Sequence, residues 1–289
     1  LDHPRMQTPQ TAPRPPVTQT QARSAQHEAS PPRVRLQGLV LASVVALLCS
    51  AAPALAVPAL SHHGRWLTDP QGRVVILHGL DEWGPNGKLP GPLPYGHKVP
   101  AALGYGPGVA RFLAENGFNL MRLSISDWEY APGRYDDGYL DGFHSFVEQL
   151  GDAGVYSLLD LQQTIYGPYF SGGEGFPIWM TLTNGAPNNN PGYPDAYFSD
   201  PAENRAWDNF WANEPASDGV GLQDHLASSW QHLAQLFATT SGVLGYDLLN
   251  EPWPGTVWES CSSPSGCPPD GFDTTGLSPL YRRIITAIR

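Results

Sequence analysis

Four short apolar runs, each ending in polar residues and each followed by a helical pattern, constrain this chain more than any other feature. The runs are 74–79 (VVILHG), 119–125 (NLMRLSI), 156–161 (YSLLDL) and 245–250 (GYDLLN). Short, nearly continuous hydrophobic stretches of this kind suit strands covered on both faces. The turn sequence Asp69-Pro70-Gln71-Gly72 lies between 65–68 and 73–77, so a hairpin should lead into the first run. Helical spacing is visible over 108–116, at Leu140, Phe143, Phe146, Val147 and Leu150, at Leu226, Trp230, Leu233 and Phe237, and over 277–289. A long segment, 162–222, rich in Gly, Pro, Asn and aromatic residues, reads as loop. Strand–helix alternation predicts a parallel sheet with helices packed outside it.

Polar residues gather where the strands end: His78, Asp81, Ser124, Asp127, Gln162, Gln163, Asn250 and Glu251. In a (β/α)8 barrel these ends share one rim, where reactive groups collect. A doubly wound nucleotide-binding sheet would want a glycine-rich phosphate loop after its first strand, and Gly79-Leu80-Asp81-Glu82 is not one. The expected fold class is therefore α/β, a (β/α)8 TIM barrel. Only four strand–helix units are read up to Arg289, so residues 57–289 are expected to be the N-terminal part of such a barrel domain.

Charge divides the chain. Residues 1–56 hold five Arg and two acids, whereas 57–289 hold 11 basic and 25 acidic residues, a net of −14. That surplus argues against a nucleic-acid partner, which would need clustered Lys and Arg. Residues 1–35 are mostly Pro, Gln, Thr, Ala and Arg, a composition too poor in large apolar groups to fold, and are expected to be a disordered extension. Residues 36–56 read as a secretory signal. Arg33 and Arg35 precede the apolar run 39–48, and Ala54-Leu55-Ala56 supplies a small-x-small site for a cut after Ala56. Pro53 interrupts the run well short of the roughly 20 residues a membrane span requires. The expectation is thus a secreted protein with no stable span after cleavage. Cys261 and Cys267 then remain in the exported part, within a Pro/Ser/Gly loop, and a local disulfide is expected in an oxidising compartment. No metal site and no organic cofactor is implied.

The tripeptide Asn250-Glu251-Pro252, after the fourth strand and followed by Trp253 and Trp258, points to glycoside chemistry. Such hydrolysis needs one carboxylic acid to protonate the leaving oxygen and a second carboxylate to attack or to activate water. Aromatic faces that stack on sugars are plentiful, with 9 Trp, 12 Tyr and 10 Phe, although core packing also consumes aromatics.

Several longer stretches carry a resemblance: RWLTDPQGRVVILHGL (65–80), GFNLMRLSIS (117–126), APGRYDDGYLD (131–141), GVYSLLDLQQ (154–163), GEGFPIW (173–179) and YDLLNEPWPGTVW (246–258). From about residue 62 onward the chain resembles the endoglycoceramidase-related branch of the retaining glycoside hydrolases of family 5. The resemblance implies Glu251 as general acid/base, Asn250 on the hydroxyl beside the reacting carbon, and Arg122 as support for a nucleophile. An internal ion pair is the other reading of Arg122. It implies His78, Lys88 and Gln162 as residues lining the sugar site, with Trp179 and Trp253 as stacking walls. His78 could equally be a satisfied core histidine and Lys88 a solvated one.

The family's third strand usually ends Asp-x-His-Gln-Asp, whereas here it reads Asp160-Leu161-Gln162-Gln163-Thr164. Asp81 stands where Asn is common. The implied activity is cleavage of a β-glycosidic bond between glycan and ceramide or a similar lipid, on a carbohydrate or glycolipid substrate, with the nucleophile expected beyond Arg289 and the piece alone inactive. A β-glucan endohydrolase and a catalytically dead glycan-binding barrel are the alternatives.

Overall fold

The computed structural model describes residues 57–82, 99–126, 128–261 and 271–289. The leader readings for 1–35 and 36–56, Lys88 and Cys267 fall outside the described residues.

The chain opens with an antiparallel hairpin, β1 (Ser61–His63) and β2 (Trp66–Thr68), turned by Gly64 at φ +59°. Asp69 then caps the next turn, its carboxylate accepting the Gln71 and Arg73 amides, and Val74 bridges back to Thr68. The sheet proper is β3 (Gly79–Glu82), β4 (Leu120–Ile125), β7 (Tyr156–Leu161) and β8 (Val243–Asp247), all parallel and ordered β3-β4-β7-β8. Strand order follows chain order without reversal. A doubly wound sheet would show a switch point, and this arrangement is instead an arc of a (β/α)8 barrel. A small antiparallel pair, β5 (Glu129–Ala131) and β6 (Arg134–Tyr135), sits directly after β4.

Helices α1 (Pro107–Glu115), α2 (Asp137–Asp152) and α5 (Leu222–Leu236) separate the strands, and α7 (Ser278–Ile288) follows β8. Their starts follow simple chemistry. Pro107 stands at the first turn of α1, where its missing N–H costs nothing, and the Asp136 carboxylate accepts the Tyr139 amide to cap α2. On β4, Met121, Leu123 and Ile125 are buried while Leu120, Arg122 and Ser124 are half-buried, the alternation of a strand with two unlike faces. The buried side joins Leu140, Phe143, Phe146, Val147 and Leu150 of α2 in one core with Trp128, Trp207 and Trp230.

Two expectations need correction. The first apolar run is not a buried strand: residues 75–78 are irregular, Ile76 is 80% exposed, and β3 begins only at Gly79. A Cβ at Gly79 would lie 2.1 Å from the Leu120 carbonyl oxygen, so glycine allows the close approach that starts the pairing. The segment 162–222 is also more than loop. It holds α3 (Asp195–Ser199) and α4 (Pro201–Trp211), the latter capped by Asp200, whose carboxylate accepts the Ala202 and Glu203 amides. Among the described residues, no helix is long and apolar enough to cross a membrane.

Candidate active site

The register of the sheet brings one cation and three acids together on its inner face. Arg122 of β4 stands opposite Asp81 on β3 and Leu158 on β7. Its side chain extends toward the C-terminal ends of the strands. Nη2 lies 2.9 Å from Asp160 Oδ1, Nε and Nη2 donate to Asp247 Oδ2 at 3.1 and 3.0 Å, and Nη1 is 3.3 Å from both Asp81 oxygens. Asp160 is fully buried, and neither of its oxygens accepts a well-aligned hydrogen bond. Burial pushes Asp160 up to about 8 against the pull of Arg122, with the carboxylates of Asp247, Asp81 and Glu174 adding to the rise. The Arg122 guanidinium, despite its own partial burial, is held above its ordinary value by Asp160, Asp247 and Asp81.

Arg122 also fixes Asn250. Its Nη2 donates to Asn250 Oδ1 at 3.0 Å, which settles which end of the amide is oxygen. Asn250 Nδ2 in turn donates to the Gln163 carbonyl at 3.0 Å, and the Asn250 amide donates to the Leu161 carbonyl at 2.9 Å. Asn250 is therefore held from β4 and from the end of β7, and its second Nδ2 hydrogen remains for another acceptor. Glu251 follows, exposed, with its backbone in the left-handed region at φ +43°. Gln163, fully buried, donates from Nε2 to the carbonyls of both Asn250 and Glu251, at 2.8 and 2.7 Å.

The arrangement is thus a carboxylate with access to solvent, beside a rigid amide, on the C-terminal side of a parallel arc. Comparison with known proteins identifies the scaffold. Residues 106–289 match the model of the cellulase family, glycosyl hydrolase family 5. The chain belongs to glycosyl hydrolase family 5. Within it, this family 5 chain is 35% identical over 240 residues to endoglycoceramidase I of Rhodococcus hoagii (strain 103S), covering 82% of the chain and 45% of that protein. A crystal structure of an endogalactoceramidase aligns with TM-score 0.61 and 30% identity, over 81% of this chain and 50% of that one. Endo-glycoceramidase II from Rhodococcus sp., in its ganglioside GM3 complex, aligns with TM-score 0.56 and 28% identity, over 81% and 49%. The chain spans about half the length of these relatives.

Of the residues singled out in this family 5 sequence, Arg122 and Asn250 are in direct contact and Glu251 is the next residue along. Trp253 packs half-buried against Tyr197, Phe198 and Trp258, with its indole N–H on Asn204 Oδ1 at 2.9 Å. Trp179 is half-buried over the β4 end of the sheet; its indole N–H donates to the Glu129 carbonyl at 3.0 Å, and its ring meets His225 edge-on. Gln162 is buried; its backbone amide donates to the Ile125 carbonyl at the end of β4 at 3.1 Å and its side chain to the Gln163 carbonyl at 3.4 Å.

His78 is a correction. It sits opposite Asn119, at the N-terminal end of the sheet, with its ring on Phe118 at 4.8 Å, and is not brought to the end that carries Asn250. The cause is the late start of β3, which leaves His78 before the strand. Cys261 closes the short helix α6 (Trp258–Cys261). Among the described residues, no group of His, Cys, Asp or Glu could hold a metal ion.

Sequence reasoning placed Gln163 among the strand-end polar residues without a role of its own, and missed Asp160 and Asp247 as site residues. Both acids carried a signal: an acid inside an otherwise apolar strand, as in YSLLDL and GYDLLN, demands a buried partner.

Proposed function

We propose that the intact protein is a secreted retaining glycoside hydrolase that cleaves the β-O-glycosidic bond between a glycan and a lipid aglycone such as ceramide. The observation that carries this reading is the exposed Glu251 beside an Asn250 whose amide is oriented by Arg122. In the proposed reaction the Glu251 carboxyl gives its proton to the glycosidic oxygen as the bond to the sugar carbon breaks. The resulting carboxylate later takes a proton from the water that releases the sugar. The remaining Asn250 Nδ2 hydrogen bonds the neighbouring sugar hydroxyl, and Trp179 and Trp253 offer ring faces to the glycan.

A retaining mechanism needs a second carboxylate about 5–5.5 Å from the first. Asp81, Asp160 and Asp247 are each engaged with Arg122, so we assign none of them that role and place the nucleophile on a strand of the opposite half of the ring. The glycolipid assignment draws support from the similarity to endoglycoceramidase I of Rhodococcus hoagii and from the GM3 complex of a related enzyme. Export with a cut after Ala56 and a Cys261–Cys267 disulfide belong to the same proposal.

The test is product analysis of the full-length protein on glucosylceramide, a ganglioside and a soluble β-glucan. Release of intact glycan from lipid, reduced about 10²–10⁴-fold in E251Q, is the expected result. Preference for the β-glucan would make the protein an endoglucanase, and glycan binding without turnover would make it a binding barrel; either overturns the reading.

A further inference from the structure

Three residues other than glycine near the rim adopt the left-handed backbone region that side chains disfavour: Ile165 at φ +43°, Tyr166 at +67° and Glu251 at +43°. Ile165 is β-branched, for which this region is least favourable. The three belong to two different segments, one following β7 and one following β8. The buried side chain of Gln163 links them. Gln163 Oε1 accepts the Tyr166 amide at 3.0 Å, while its Nε2 donates to the Asn250 and Glu251 carbonyls. The Ile165 amide is held by the Tyr197 hydroxyl at 2.8 Å, which also meets the Gln163 side chain.

Gln163 is enclosed as well as bonded. It has no exposed surface, and Gly175, at φ +119°, packs over it so closely that a Cβ there would lie 2.4 Å from the Gln163 Cβ. Both Nε2 hydrogens and the Oε1 are used, and only a carboxamide supplies two donors and an acceptor in this geometry.

We infer that Gln163 is a positioning residue for the proton donor: its amide holds the strained Glu251 backbone so that the carboxyl aims at the glycosidic oxygen. The inference rests on the assignment of Glu251 as general acid. It accounts for why the turn after β8 keeps a strained conformation, since a relaxed backbone would swing the Glu251 side chain away from its line. In Q163E the carboxyl has at most one proton for the two carbonyls that now share two donors, and in Q163M both bonds are lost at similar volume.

The experiment compares two substrates in the full-length protein: an alkyl β-glycoside, whose departure needs a proton, and a dinitrophenyl β-glycoside, whose leaving group departs without one. The readout is the ratio of kcat/KM values on the two, which does not depend on how much of a preparation is folded. Q163E and Q163M should lower the alkyl glycoside by about 10²-fold, the cost of a misplaced catalytic group, and the dinitrophenyl glycoside by less than about 5-fold. E251Q serves as reference. If E251Q shifts the ratio and the Gln163 variants leave it at the parent value, Gln163 does not position the donor and the inference falls alone. If E251Q itself leaves the ratio unchanged, Glu251 is not the acid and the inference falls with that assignment.

Discussion

Glu129 and Asp160 are both buried acids close to the strand ends, and they are treated in opposite ways. Glu129 has both oxygens engaged: Oε1 accepts the Gly133 amide at 2.7 Å and faces His225 Nδ1 at 2.9 Å, while Oε2 accepts the Ser229 hydroxyl. His225 continues the chain to Asp218, and its ring supports Trp179. Asp160 has a guanidinium 2.9 Å away but no aligned hydrogen bond, and two more carboxylates share that cation. A fully satisfied network fixes a structure, whereas a crowded, under-bonded one remains responsive to whatever enters the inner face of the ring. Under the proposed function, the Glu129 cluster is accordingly architecture and the Arg122 cluster is part of the candidate site.

The largest expected effect separates the two directly. E129A removes the acceptor of a buried network and should cost about 3–5 kcal/mol in denaturant unfolding. R122A should cost about 1 kcal/mol, because Asp81 and Asp247 retain access to water and Asp160, raised to about 8, already holds its proton near neutral pH. Activity should order the other way, with folded R122A losing about 10²-fold in kcat/KM as Asn250 is released. Equal destabilisation by both substitutions would remove the distinction drawn here.

How much of this could be read from the sequence depends on which faces of a segment are covered. Strands β4 and β7 are flanked on both sides, so their apolar runs are real burial signals and their limits match the expected ones closely. The run 74–79 is equally apolar, yet it precedes the outermost strand of the described sheet and leaves Val74 and Ile76 in solvent. Helix α4 went unread for the converse reason. It buries Glu203, Asn204 and Asn209 along with Trp207 and Phe210, so its polar residues break the hydrophobic period. The pair Asp200-Pro201 did carry a start signal, a capping acid before a first-turn proline. At the site, Asn250 and Glu251 were legible because they end an apolar strand, whereas Arg122 was singled out only through the family resemblance. Gln162 and Gln163 could not be told apart, since both lie past the end of β7, where alternation no longer says which one turns inward.

An intermediate effect should appear as pH dependence. Glu203 is fully buried in α4, with Trp207 Nε1 on one oxygen at 3.0 Å and no partner on the other. Burial pushes it up to about 8, the Trp207 bond opposing and the nearby Asp200 adding to the rise. Asp160 is raised to a similar value. For each, the folded state keeps a proton that the unfolded chain releases above about 4, so its contribution is complete below that pH and is lost as pH rises toward 8. Stability should therefore fall between about pH 4.5 and 8.5. E203Q should flatten the fall and be more stable than the parent at pH 8.5, by on the order of 2 kcal/mol. Urea titrations at three pH values decide it; an unchanged slope in E203Q would leave Asp160 as the main source.

The smallest effect tests whether the crowding at Arg122 is electrostatic. Asp81 is half-exposed and meets Nη1 only at 3.3 Å, so D81N should change stability by no more than about 0.5 kcal/mol. Its charge nonetheless adds to the repulsion that raises Asp160, after burial and the larger contribution of Asp247. Removing it should lower the Asp160 pKa and move that residue's loss of stability to lower pH. The carboxyl 13C resonance of Asp160 reports this without relying on global unfolding. A titration midpoint that falls in D81N, and rises in R122A, identifies shared charge as what holds Asp160 near neutrality. A midpoint that moves in neither variant would mean that desolvation alone sets it, and that the three acids do not act as one cluster.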